Sequence, residues 1–393
     1  MLRTQDYVAI AAEYFQALQR QAEGLLGLVL RGPREDIVPG TSDIDMRLLC
    51  GEGVDWVALD QAVALVHRQF LSRGPQYRRI LEHPPGACHL LGECLDARLY
   101  LPEMRCWDLV CGDEASWRAL CEHLERLPWS VRDEAHWLGV LRAAIAHLEE
   151  EQELSGLPRH RGPAALLLHW FLPALQAALS LSREKPIRGR REALYLALEE
   201  LPPSWALEEA KAACEDPTRL DGPADEAELR ALKQDCLRVL HSLWPEGGRA
   251  TRCAESGEAQ ELLALYQAVR FFRVRRSHYA VFLSLPQDEE SDYLIRNELS
   301  TLKDLFLARP LSAYAAWRWG SLSEQPGSVL RRLGEEDFAT AQLEAARRLL
   351  ELACDDMGAE QARAALAEAA QLWEPFRELL EDLFSFCWGA GRG

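Results

Sequence analysis

The chain has 393 residues, enough for two or three domains, because single hydrophobic cores stop growing near about 250–300 residues. Its 62 acidic and 44 basic residues leave a formal charge of −18. That balance argues against a general nucleic-acid binder, whose affinity comes from clustered Lys and Arg, and suits a small cationic acceptor.

Eleven cysteines, odd in number and without a C-x-x-C pair, read as reduced core thiols and not as a disulfide framework or zinc site. The segment from Met1 to Tyr7 lacks the basic-then-apolar pattern of a signal peptide. No run of eighteen apolar residues occurs, so no membrane span is expected and a cytoplasmic location is.

Tyr7, Ile10, Ala11, Tyr14, Phe15 and Leu18 recur at helical spacing and predict an amphipathic helix in the first 25 residues. Leu25–Leu30 is a short apolar run closed by Gly32-Pro33, which reads as a strand. Residues 43–50 alternate, with Ile44, Met46, Leu48 and Cys50 on one face and Asp43, Asp45 and Arg47 on the other, which predicts a second strand. A helix is expected over 55–72, then strands at Tyr77–Glu82, Cys88–Leu91, Ala97–Leu101 and Arg105–Cys111. From about residue 113 the pattern turns helical, with helices expected at 133–151, 163–181, 190–201, 205–215, 226–243, 257–272, 289–308, 335–353 and 358–384. A boundary is expected at the polar, glycine-rich stretch 245–256.

Asp43 and Asp45 are the residues that carry chemistry. Two positions apart on a strand, they share a face with Cα atoms about 6.5–7 Å apart. Like charges so placed repel unless a cation lies between them. Mg²⁺ is a hard ion that takes one or two carboxylates together with substrate phosphates. A glycine turn upstream lets phosphates approach the backbone closely.

The run Val29-Leu30-Arg31-Gly32-Pro33-Arg34 through Gly40-Thr41-Ser42-Asp43-Ile44-Asp45-Met46 resembles the nucleotidyltransferase superfamily signature, a Gly-Ser turn followed after roughly ten residues by Ser-Asp-x-Asp on a strand. The resemblance is closest to aminoglycoside adenylyltransferases of the streptomycin/spectinomycin type. It implies an α+β chain: a small mixed-sheet nucleotidyltransferase (polymerase-beta-like) domain over 1–115, then a large all-helical region. Within the latter, 116–250 would complete the nucleotide and acceptor cleft, and 251–393 has no counterpart in that family.

Two further segments resemble the family. Trp107-Asp108-Leu109-Val110-Cys111-Gly112 looks like the strand that supplies its third carboxylate, which implies a metal ligand or base at Asp108, with Asp96 as the rival. Arg190-Arg191-Glu192-Ala193-Leu194-Tyr195-Leu196 to Pro202 resembles its phosphate-contacting helix, with Arg190 in place of a lysine and Leu196 in place of a tryptophan. The resemblance therefore implies Mg²⁺ at Asp43, Asp45 and Asp108, and ATP or another NTP contacted by Gly32, Thr41, Ser42 and Arg190. The reaction implied is transfer of NMP to a hydroxyl of a small acceptor.

Pro33 departs from the pattern: it stands where the family has serine, and offers the triphosphate neither a hydroxyl nor an N–H. Two other readings stay open. One is a nucleotidyltransferase acting on a tRNA end or a protein side chain, with the basic, aromatic run Arg270–Tyr279 as docking surface. The other is a nucleotide-binding module without turnover. The bland reading of 270–279 is one charged helix face beside a buried aromatic one. Ten histidines show no metal-ligand spacing, and most of the twelve tryptophans read as packing.

Overall fold

Four short strands form the only sheet among the described residues, which in this computed structural model are 3–149, 162–220, 222, 225–244, 257–321, 324–352 and 357–390. The strands are β1 (Leu25–Leu30), β2 (Met46–Cys50), β3 (Ala87–Leu90) and β4 (Asp108–Gly112), in the order β3-β2-β1-β4. β1 is antiparallel to both β2 and β4, and β2 is parallel to β3, so the sheet is mixed. Gly112 closes the β1–β4 edge, because a Cβ there would lie 2.3 Å from the Leu26 carbonyl oxygen.

One face of this sheet packs on α1 (Thr4–Gln19) and α2 (Trp56–Leu71). Leu28, Leu30, Met46, Leu48 and Cys50 share that core with Tyr14, Phe15, Val63 and Phe70. The other face belongs to the C-terminal helices: Val29 and Leu49 join a core with Tyr266, Phe272, Phe306, Trp373 and Phe376. All five residues of β2 are therefore buried, Arg47 included, although a half-solvated strand was expected.

The remaining helices are α3 (Pro75–Ile80), α4 (Glu114–Arg126), α5 (Val131–Glu149), α6 (Pro163–Arg183), α7 (Arg190–Glu200), α8 (Trp205–Glu215) and α9 (Glu226–Leu243), followed by α10 (Gly257–Phe272), α11 (Arg275–Ser284), α12 (Glu289–Thr301), α13 (Arg309–Trp319), α14 (Pro326–Leu333), α15 (Thr340–Leu352) and α16 (Ala359–Ala390). Helices α5 to α9 build a separate core, which meets the N-terminal part through Val38 and Cys106. The expected boundary at 245–256 lies outside the described residues.

Several expectations are corrected. Tyr77–Glu82 is not a strand: Pro75 presets the first turn of α3. Ala97–Leu101 is also not a strand, because the Asp96 carboxylate accepts the Arg98 N–H and starts a 3₁₀ turn over Ala97–Leu99. β2 begins at Met46, which leaves Asp43 and Asp45 on the extended segment before it. α6, with a π-helical turn at Leu166–Phe171, is long and apolar enough to cross a membrane, contrary to expectation, yet most of it is buried among α5, α7 and α9. The described cysteines are free thiols, most of them buried.

Candidate metal centre at the end of β2

The ladder continues one step past β2, where the Arg31 N–H donates to the Asp45 carbonyl at 3.0 Å. Since Leu30 pairs with Met46, Asp45 and Arg31 have the parity of Val29, Arg47 and Leu49. They therefore share the face that the C-terminal helices cover, at its open end. The Asp45 side chain lies deep among protein atoms and still keeps 36% of its exposure.

Asp43, Asp45 and His83 converge there, with one ligand atom from each inside a 4.8 Å group. His83 Nε2 stands 3.4 Å from an Asp45 oxygen and 3.9 Å from an Asp43 oxygen. His83 arrives from the turn ahead of β3, the strand parallel to β2. Its ring stacks on His278 of α11, with centroids 5.9 Å apart. Burial alone would make His83 a weaker base, but the hydrogen bond and charge of Asp45 and the charge of Asp43 outweigh it and raise its pKa. Burial pushes the Asp45 pKa up, but the hydrogen bond to His83 and the charges of Arg47 and Arg31 hold it far below the usual carboxylate range.

Positive groups balance the cluster. Arg31 lies 3.9 Å from Asp45 and 3.8 Å from Glu103. Arg270 of α10 donates to Glu103 at 2.6 Å and lies 3.4 Å from His89 Nε2, while His89 Nδ1 is 2.8 Å from the Tyr266 hydroxyl. Glu103 is buried, which raises its pKa, yet Arg270, Arg31 and Arg47 together keep it well below its ordinary value. Asp43, Asp45 and Glu103 thus face Arg31, Arg47 and Arg270, three formal charges of each sign before His83 is counted.

Asp108 is not part of this cluster. It pairs with Leu30, so it points to the opposite face of the sheet from Asp45, and β1 separates the two strands. Its carboxylate is closed by Arg34, through the backbone N–H at 3.1 Å, Nε at 2.7 Å and Nη2 at 3.1 Å, with Arg188 3.6 Å away. Burial raises its pKa, and the Arg34 side-chain and backbone hydrogen bonds lower it more. Asp96 is also engaged elsewhere, with Arg98 and the Trp388 indole N–H; burial opposes these bonds, yet they bring its pKa down to about 2.

The expected phosphate contacts are engaged in holding the loop together. Ser42 Oγ accepts the Val38 N–H at 2.9 Å, and the Thr41 N–H donates to the Val38 carbonyl. Gly32 leads into Pro33 and a 3₁₀ turn over Arg34–Asp36, and Pro33 sits against Gly189, where a Cβ would meet its Cγ at 2.8 Å. The Arg190 and Arg191 N–H groups at the start of α7 both donate to the Asp36 carboxylate, at 2.7 and 2.9 Å. An internal carboxylate therefore occupies the backbone N–H groups at the start of that helix, whereas the expected phosphate contact was the Arg190 side chain.

The basic run 270–279 is sealed into the fold. Arg273, 1% exposed, forks onto Glu93 at 2.6 and 2.7 Å, reaches Glu381 at 2.8 Å and lies over the Trp56 ring. Arg275 pairs with Glu298, and Arg276 lies 3.2 Å from the buried Asp60.

Sequence reasoning missed His83, Arg31 and Glu103. The one available signal was a histidine just before Pro84-Pro85-Gly86, a turn that leads into the strand beside β2. Comparison with protein-family models, with characterised proteins and with solved structures finds no match for this chain.

Proposed function

We propose that this chain is a divalent-metal-dependent nucleotidyltransferase that moves NMP, with ATP the first candidate donor, onto a hydroxyl of a small acceptor. The observation that carries the reading is the convergence of Asp43, Asp45 and His83 at a solvent-reachable end of the sheet. The donor set fits a divalent cation, since two carboxylates and an imidazole nitrogen bring one ligand atom each within 4.8 Å of one another. A bound cation would supply Lewis-acid stabilisation of charge on the phosphates.

The surrounding residues suit an anionic substrate. With three carboxylates offset by Arg31, Arg47 and Arg270, a divalent ion would leave the site net positive. In the transfer, the acceptor hydroxyl oxygen forms a bond to the α-phosphorus. The bond from that phosphorus to the bridging oxygen breaks, and pyrophosphate leaves. The hydroxyl proton passes to water at the open end of the site, because the positive neighbours of Asp45 keep that carboxylate a weak base. A small acceptor is favoured over a polymer, because Arg270, Arg273, Arg275 and Arg276 are held in ion pairs and form no basic track.

One observation favours the reading without turnover: Asp36 fills the start of α7. Label transfer separates the two readings. Incubation with α-³²P-NTP and a panel of hydroxyl acceptors is expected to yield labelled product only with a divalent ion, and none from Asp43→Asn. NTP binding without labelled product on any acceptor would sink the transferase reading and leave the binding module.

A further inference from the structure

His83 changes which ion the site fits, an inference that rests on the same cluster as the transferase reading. We infer that Asp43, Asp45 and His83 form a mixed nitrogen–oxygen site selective for a first-row transition ion, Mn²⁺ or Zn²⁺, over Mg²⁺. Three observations carry it.

The first is the donor set. Mg²⁺ takes oxygen ligands and parts with water reluctantly, whereas imidazole is a common ligand for the later ions. The second is the orientation of the imidazole. His83 Nδ1 is 2.8 Å from the Pro84 carbonyl, which can only accept, so Nδ1 carries the proton. Nε2 is then the nitrogen that faces the two carboxylates, and it would give up its proton on binding an ion. A ring N–H held by a backbone carbonyl is the arrangement that fixes metal-binding histidines.

The third is the spacing. Nε2 stands 3.4 and 3.9 Å from the nearest oxygens of Asp45 and Asp43. A closed charge-assisted hydrogen bond would be about 2.7–2.9 Å. Ligands around one ion, with bonds of about 2.0–2.2 Å, lie about 3.0–3.5 Å apart, so the Asp45 distance already fits and Asp43 would draw in by a few tenths of an ångström. The ring is also held from outside, stacked on His278, whose Nε2 is 3.2 Å from the Pro85 carbonyl. The turn that carries His83 is thereby pinned to α11 as well as to β3.

Electron paramagnetic resonance of the full chain with Mn²⁺ tests this. The wild type is expected to bind one Mn²⁺, and pulsed spectra are expected to show ¹⁴N coupling from a directly bound imidazole. Zn²⁺ should displace the Mn²⁺, and a tenfold excess of Mg²⁺ should not. His83→Gln is expected to lose the ¹⁴N coupling and to weaken Mn²⁺ binding at least about tenfold, with Mg²⁺ binding little changed. No bound Mn²⁺, bound Mn²⁺ without ¹⁴N coupling, or displacement by an equal concentration of Mg²⁺ would each overturn the inference. The wild-type spectrum decides this without relying on any variant to fold. Failure of label transfer with every metal, while nitrogen-coupled Mn²⁺ still binds, would remove the transferase reading and leave this one. Transfer with Mg²⁺ and no nitrogen-coupled Mn²⁺ would do the reverse.

Discussion

The two flanks of β1 both carry carboxylates and are finished in opposite ways. On the β4 side, Asp108 is saturated by a forked guanidinium and a backbone N–H, and its side chain is 14% exposed. On the β2 side, Asp43 and Asp45 keep about a third of their exposure, and Asp45 stands 3.4 Å from His83 and 3.9 Å from Arg31. A chain that closes an ion pair tightly at Asp108 leaves Asp45 at looser spacing from its charged neighbours. Such spacing is costly unless something charged fills it.

The largest test of this contrast is Asp45→Asn. It is expected to abolish NMP transfer and to weaken divalent-ion binding more than about a hundredfold, read by calorimetry, because a ligand matters more than the outer groups worth 10–100-fold. Next in size is Arg273→Met, which leaves Glu93 and Glu381 facing each other in the interior. A loss of about 3–5 kcal/mol in urea unfolding is expected, without change in nucleic-acid affinity.

Asp108→Asn should cost about 1–3 kcal/mol and leave ion binding intact. If Asp108→Asn removed the ion while Asp45→Asn did not, the distinction between the two flanks would be wrong.

The sealed histidines set a smaller, graded test. Burial, with help from the charge of His83, pushes the His67 pKa down to about 3. Burial and the charge of Arg270 drive His89 well below its ordinary value. Both are neutral in the fold and become protonated on unfolding below about pH 6.5. Their contribution is complete above that pH and is lost as pH falls, at about 1.4 kcal/mol per pH unit for each. His67→Leu should flatten the slope of unfolding free energy against pH by one such share. The smallest effect is expected from Asp36→Ala, about 1 kcal/mol, for uncapping α7.

The elements were legible where one periodicity ruled. α1, α2 and most helices from α5 onward follow their apolar spacing, and β1 its turn-bounded run, while α11, α13 and α14 were not foreseen. Tyr77–Glu82 misled because so short a segment barely shows its period, although Tyr77, Ile80 and Leu81 stand at helical spacing and Pro75 starts the turn. Asp43 and Asp45 were legible because they are neighbours in the chain. His83 was not, because only the parallel pairing of β2 with β3 brings it to them. Asp108 failed on parity alone: it sits in a strand beside β1, one residue out of phase with the face it would have needed.

The two-sided burial of β2 has a consequence for how the protein is made. Val29 and Leu49 complete a core whose other members include Phe376 and Phe384, and Glu93 is tied through Arg273 to Glu381. The ribosome delivers the residues around Asp45 long before those partners emerge. Until α16 has been synthesised, one side of the nascent sheet stays wet, and until α11 has been, His83 lacks its support on His278. A ribosome-bound chain stalled before α10 should therefore expose apolar surface and recruit chaperones.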